Sequence, residues 1–171
     1  IHLASILPST QLIQPLIWIL LNAPLELQPQ TLAAIKKLDA LSEVLHALNT
    51  VTPLEQLQGI EALGHLGTHL TLPIVLRYLY SSETRLQHKC VHVLKKLNAR
   101  MAIPDLINVC LNAPSPVQES TLEVLGTFEA ESFIQANLLS SNSMEDRLKG
   151  LKVLLLMNHP SAFKALLEAL K

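Results

Sequence analysis

Two stretches of the chain, LIWILLNAP at 16–24 and LINVCLNAP at 106–114, match at six of nine positions and begin 90 residues apart. Three repeats of about 30 residues would account for that distance. Segments between and after them align in one register and share an apolar position at spacings of 28, 31, 31 and 29 residues. The equivalent residues are Ile35, Leu63, Leu94, Leu125 and Leu154. The sequence therefore predicts an internal repeat over nearly the whole chain.

Each repeat has the pattern of two helices joined by a turn. The turns are indicated by polar or proline-containing stretches at 22–24, 81–82, 112–114 and 140–143. Proline lies near several helix starts, where its missing N–H costs no hydrogen bond. These prolines are Pro29, Pro53, Pro73, Pro104 and Pro116. Gly67, Asn98 and Asn158 follow second helices, where a left-handed cap is common. The glycines are assigned to second helices, where small residues permit close packing; they are Gly59, Gly64, Gly67, Gly126 and Gly150.

Stacking of helical pairs buries an apolar stripe that a single pair would leave exposed. We therefore expect an all-α fold, a right-handed α-solenoid of about five to six stacked two-helix repeats that forms one domain over 1–171. The stretches IEALGHLG at 60–67, LPIVL at 72–76 and IPDLI at 103–107 resemble the HEAT-repeat family, in particular the short HEAT-like repeats of phycobilisome lyases. The resemblance implies a binding scaffold whose second helices line a concave face.

The composition excludes several other classes of protein. Apolar residues make up 49 % of the chain and charged residues 16 %, whereas disordered chains are poor in the former and rich in the latter. Aromatic residues make up only 4 %, which argues against an all-β fold. Two cysteines cannot staple a chain of this size as a disulfide scaffold. The net charge of −1 gives no overall attraction to nucleic acid or membrane.

The first charged residue is Glu26, so the opening of the chain invites comparison with a membrane span. Three prolines interrupt it, and its longest apolar run, Leu16–Leu21, is far short of the roughly 20 residues that a bilayer requires. No basic leader of a signal peptide is present. We therefore expect no membrane span and, with no disulfide framework, a cytoplasmic location. Because the chain starts at Ile1, we also expect a fragment of, or a module within, a longer chain.

Nine polar side chains of the second helices are predicted to point away from the core and to bind another protein or peptide. They are Gln58, Glu61, His65, Lys89, His92, Lys96, Glu123, Lys149 and Lys152. In the repeat register these side chains fall into three rows, and the row of Gln58, Lys89 and Lys149 also contains Ser120. Residues 77–100 hold six bases and one acid, whereas 101–131 hold five acids and no base. One interpretation is solvated helix faces with ion pairs between repeats. The other is a docking surface with a basic and an acidic part.

The sequence contains little that indicates chemistry. The pairs His65/His69 and His88/His92 have the spacing of zinc ligands on one helix face. No glutamate follows either pair as a zinc protease requires, and lysines crowd the second pair, so we expect no metal and no cofactor. The acidic stretch interrupts the cationic track that nucleic acid needs, and Tyr78 and Tyr80 are the one suggestive aromatic cluster.

Nucleophile motifs and phosphate-binding loops are absent from the sequence, so we expect no enzymatic activity. The preferred function is a non-enzymatic scaffold that binds a protein partner on the concave face formed by second helices. Two alternatives stay open. One is a regulatory cytosolic module of a larger protein, such as a membrane protein. The other, which the resemblance suggests, is an accessory subunit like a phycobilisome lyase.

Overall fold

A computed structural model describes residues 9–24, 26–65, 71–160 and 162. All regular structure in these residues is helical, which confirms the all-α prediction. The chain divides into two compact units, Ile1–Leu97 and Asn98–Lys171. In the described part of the chain no helix is long and apolar enough to cross a bilayer.

The unit Ile1–Leu97 is built from helical pairs. Its described helices are α1 (Ser9–Asn22), α2 (Gln28–Lys37), α3 (Leu41–Leu48), α4 (Pro53–His65), α5 (Leu72–Leu79) and α6 (Thr84–Lys96). Each first helix packs on the helix that follows it, α1 on α2, α3 on α4 and α5 on α6. Helix α4 lies in the middle of the unit, because it also packs on α1, α2 and α6.

The unit Asn98–Lys171 continues the alternation. A 3-10 turn (Arg100–Ala102) leads into α7 (Ile103–Asn112), α8 (Ser115–Thr127), α9 (Ala130–Phe133) and α10 (Met144–Leu156). Helix α9 passes directly into a π-helical segment, Ile134–Leu139. Helix α7 packs on α8, and α10 packs on both the π-helical segment and α7.

The core follows the predicted register. All five equivalent apolar residues of the repeat are completely buried: Ile35, Leu63, Leu94, Leu125 and Leu154. Each belongs to a second helix, at a site where shape and volume of the side chain decide packing. The repeated apolar position is thus the centre of each unit's core.

The predicted helix starts and turns are confirmed. All five prolines singled out above lie at the first or second residue of a helix, and the four turn stretches fall at or between described helix ends. Asn98 and Asn158 have φ angles of 48° and 55°, which confirms the left-handed caps, whereas Gly67 lies outside the described residues. Asp39 and Glu129, both with φ of 53°, hold the same position in the register but were not predicted. All four follow the buried core residue of their repeat by four positions.

Glutamine side chains tie several helical pairs together. The amide Nε2 of Gln56 donates to the Leu48 carbonyl at 2.8 Å, and Gln118 donates to Cys110 at 2.8 Å. Gln28 makes the same bond to Leu20, at 3.4 Å. The last carbonyls of a helix have no partner within it, so these amides satisfy groups that would otherwise lack one. Each of these bonds therefore links a second helix to the first helix of its pair.

The prediction that glycines permit close packing is confirmed at three of the four positions described. A methyl group at Gly59 would overlap Leu48 Cδ2, and one at Gly150 would come within 2.9 Å of Leu138 Cβ. At Gly64 it would come within 2.9 Å of Val93 Cγ2. The prediction is wrong for Gly126, which is exposed and has nothing within 4 Å of that point.

Candidate functional site

Two cross-helix contacts bring together four of the predicted binding residues on α4 and α6. Lys89 Nζ donates to Glu61 Oε2 at 3.0 Å, and Lys96 Nζ lies 3.0 Å from His65 Nδ1. An ammonium group donates hydrogen bonds and cannot accept them, so Lys96 is the donor in this contact. The predicted rows of adjacent second helices are therefore linked within Ile1–Leu97.

The remaining predicted residues of this unit lie at the same surface. Gln58 and His92 are exposed, and the His92 ring contacts the His88 ring edge to face with centroids 4.5 Å apart. The side chains of Glu61 and Lys89 keep 46 % and 33 % of their accessible surface. A pair so exposed contributes only about 0.2–1 kcal/mol to stability. These residues thus form a solvated polar surface with one modest ion pair, here named the α4–α6 surface.

The other three predicted residues belong to Asn98–Lys171. Glu123 and Lys152 are exposed, and Lys149 Nζ donates to Glu145 Oε1 at 2.7 Å within α10. The hydrogen bond that Lys149 donates to Glu145 raises the pKa of Lys149. A bond between residues four apart on one helix was not predicted for Lys149.

Lys149 and Lys152 border a cleft that the sequence did not reveal. It has a volume of about 300 Å³ and lies between the last turn of α7 and the outer side of α10. Its lining consists of Asn108, Leu111, Asn112, Glu145, Leu148, Lys149 and Lys152. In this lining, leucine side chains lie beside amide, carboxylate and ammonium groups, a mixture that suits an amphipathic ligand.

One expectation about the surface is wrong, and one of the two tyrosines of the suggestive aromatic cluster is buried. Ser120, which shares a predicted row with Gln58 and Lys89, is buried, and its hydroxyl donates to the Val117 carbonyl at 3.0 Å. Tyr78 is buried too, and its hydroxyl donates to Asn49 Oδ1 at 2.8 Å. A buried ring cannot stack on a base, which removes Tyr78 from the aromatic cluster.

The titratable groups that could support chemistry are dispersed. Burial raises the pKa of the Cys90 thiol to about 12 and that of Cys110 to about 11, so both are protonated at neutral pH. The described residues hold no group of three or more His, Cys, Asp or Glu side chains that could bind a metal ion. His69 of the first histidine pair lies outside the described residues.

Comparison of the chain with known protein families finds no family whose model matches it, and comparison with curated proteins finds no match.

Proposed function

We propose that the chain is a non-enzymatic scaffold, a HEAT-like α-solenoid that binds another protein through its second helices. The α4–α6 surface is the observation that carries the proposal. It presents exposed Gln58, His65, His92 and Lys96 around the Glu61–Lys89 pair, on two helices fixed by a buried core. A surface held in place by rigid elements loses little entropy when it binds.

The recurrence of local devices supports the solenoid part of the proposal. A completely buried core residue followed four positions later by a left-handed residue occurs at Ile35, Leu94, Leu125 and Leu154. Repeats with the same core and the same cap turn the chain through similar angles, which favours regular stacking. In Ile1–Leu97, where α4 packs on both α2 and α6, second helices stacked this way would form the proposed concave surface. A cytoplasmic location belongs to the same proposal, and the two free thiols fit a reducing compartment.

The test must change the surface without breaking the fold. Lys89→Glu alone would place two carboxylates together, so we choose the exchange Glu61→Lys/Lys89→Glu, which keeps the ion pair and reverses its direction. Glu43→Lys/Arg77→Glu is the matched control, because it also leaves the net charge unchanged and both residues are exposed on first helices, α3 and α5.

Partner proteins are cross-linked to the tagged wild-type chain in its own cells and are then identified. The affinity of each identified partner for the wild-type chain and for the variants is then measured. We expect the exchange to weaken partner binding by about tenfold, equal to about 1.4 kcal/mol, and the control on the first helices to leave it unchanged. Equal binding by wild type and exchange variant, with normal helical circular dichroism, would show that the α4–α6 surface does not bind the partner.

A further inference from the structure

We propose that the cleft between α7 and α10 binds an acidic amphipathic helix of a partner protein. The inference rests on the proposed function and adds to it the chemical class of the partner. The cleft lies within Asn98–Lys171 and shares no residue with the α4–α6 surface. It can therefore be tested on its own.

The outer side of α10 has an apolar row. Met144, Leu148 and Leu155 are exposed to 63 %, 46 % and 44 %. They are four and seven residues apart, so they lie along one side of the helix. Leu156, 44 % exposed, widens the row towards its C-terminal end. An exposed apolar row beside a cleft is the surface onto which the apolar face of an amphipathic helix docks.

The charges beside the row favour an acidic ligand. Lys152 is exposed and forms no ion pair with any residue that the structure describes. Lys149 is held by Glu145, so the cleft has two ammonium groups for one carboxylate. The Asn112 amide is neutral and donates to the Asn108 carbonyl at 2.7 Å. The uncompensated charge of the cleft is thus that of Lys152, which lines it together with Leu111 and Leu148.

The contact between α4 and α6 indicates the same partner chemistry. In the repeat register, Lys152 of α10 stands where α4 has Glu61. Glu61 accepts a hydrogen bond from Lys89 of the helix packed beside it. A helix bound beside α10 needs the opposite charge at that place, an aspartate or glutamate.

The probe is a fluorescently labelled helical peptide of about 15 residues, long enough for one helical face. It carries leucines at i, i+4, i+7 and i+11, flanked by glutamates, and a second peptide has lysine in place of every glutamate. Titration of each peptide with the full chain is followed by fluorescence anisotropy. We expect the acidic peptide to bind at least about tenfold more tightly, and the preference to shrink as salt screens the charges.

Two variants assign the binding to the cleft. Lys152→Glu, an exposed change, should reverse the preference between the peptides, and Leu148→Ser should weaken both by about tenfold. The matched controls are Lys36→Glu, at an exposed lysine, and Leu27→Ser, at a leucine that is 47 % exposed, both in the unit Ile1–Leu97. Neither control should change the affinity for either peptide.

Three results would overturn the inference: no binding up to about 1 mM, equal affinity for the two peptides, or binding that Lys152→Glu leaves unchanged. The exchange variant of the α4–α6 surface should keep its peptide binding. Loss of the natural partner with peptide binding intact therefore concerns the proposed function alone. Loss of peptide binding with partner capture intact contradicts only the proposed binding of a helix in the cleft.

Discussion

Gly64 in α4 and Gly126 in α8 hold the same position in the repeat, yet only the first is packed. A methyl group at Gly64 would meet Val93 of α6 at 2.9 Å, whereas one at Gly126 would meet nothing within 4 Å. Helix α4 is thus covered on this side by another second helix, and α8 is open there.

The residues on the same side of the two helices explain the difference. Leu57 and Ile60 precede Gly64 by seven and four positions, and Glu119 and Leu122 precede Gly126 in the same way. Ile60 is completely buried, but Leu122 is only half-buried and Glu119 is exposed. Burying a carboxylate without a partner is costly, so a glutamate at this position opposes the packing of a second helix. One apolar-to-acidic change therefore separates a covered side from an open one.

The largest change in the free energy of unfolding is expected when apolar side chains are removed from these two sides of α4 and α8. Ile60→Ala should lower the free energy of unfolding by about 2–5 kcal/mol, because it leaves a cavity in a filled core. Leu122→Ala, at a half-buried residue, should cost only about 1 kcal/mol. Urea unfolding followed by circular dichroism measures both. Equal losses would mean that the side of α8 is as well packed as that of α4.

The two glycines should respond to alanine with opposite signs. Gly64→Ala drives a methyl group into Val93, whose branched side chain has one favoured rotamer and cannot turn away. We expect a net loss of about 1 kcal/mol after the gain in helix propensity is counted. Gly126→Ala meets no atom and should raise stability by about 0.5–1 kcal/mol.

Thermal unfolding of the two single variants and of the double variant measures this difference. The glycines lie in different units, so their effects should add. A stabilising Gly64→Ala would show that α6 can move away from α4 at little cost.

The sequence alone predicted the elements that depend on local rules. Apolar spacing located the buried leucines, and prolines located the helix starts, because both effects act within a few residues. Asn98 and Asn158 were predicted as left-handed, but Asp39 and Glu129 were not. Aspartate, like asparagine, is enriched in that conformation, so Asp39 carried a local signal, whereas glutamate is not. At Glu129 the repeat imposes a backbone shape that the residue type opposes.

Contacts between helices were harder to predict. The residues predicted on α4 and α6 lie at one surface, but Ser120 was assigned to the exposed row and is buried. The cleft beside α10 depends on where α7 ends relative to α10, a distance that no local pattern encodes. In α8, Glu119 stands where α4 has Leu57. Taken as a signal against helix packing, this glutamate would have indicated that α8 differs from α4.

The smallest expected change in stability concerns the Glu61–Lys89 ion pair, which joins α4 to α6 on the covered side of α4. In a double-mutant cycle with Glu61→Gln and Lys89→Met, we expect a coupling energy of about 0.2–1 kcal/mol, because both side chains are partly exposed. The coupling should decrease in about 1 M salt, where screening acts over about 3 Å.

The pair Glu145–Lys149 is the matched control, since it lies within one helix and does not depend on packing between helices. If Gly64→Ala displaces α6, it should reduce the coupling of Glu61 with Lys89 and leave that of Glu145 with Lys149 unchanged. A coupling across α4 and α6 that survives Gly64→Ala would mean that the long lysine side chain follows its partner. The Glu61–Lys89 ion pair of the α4–α6 surface would then not depend on close packing at Gly64.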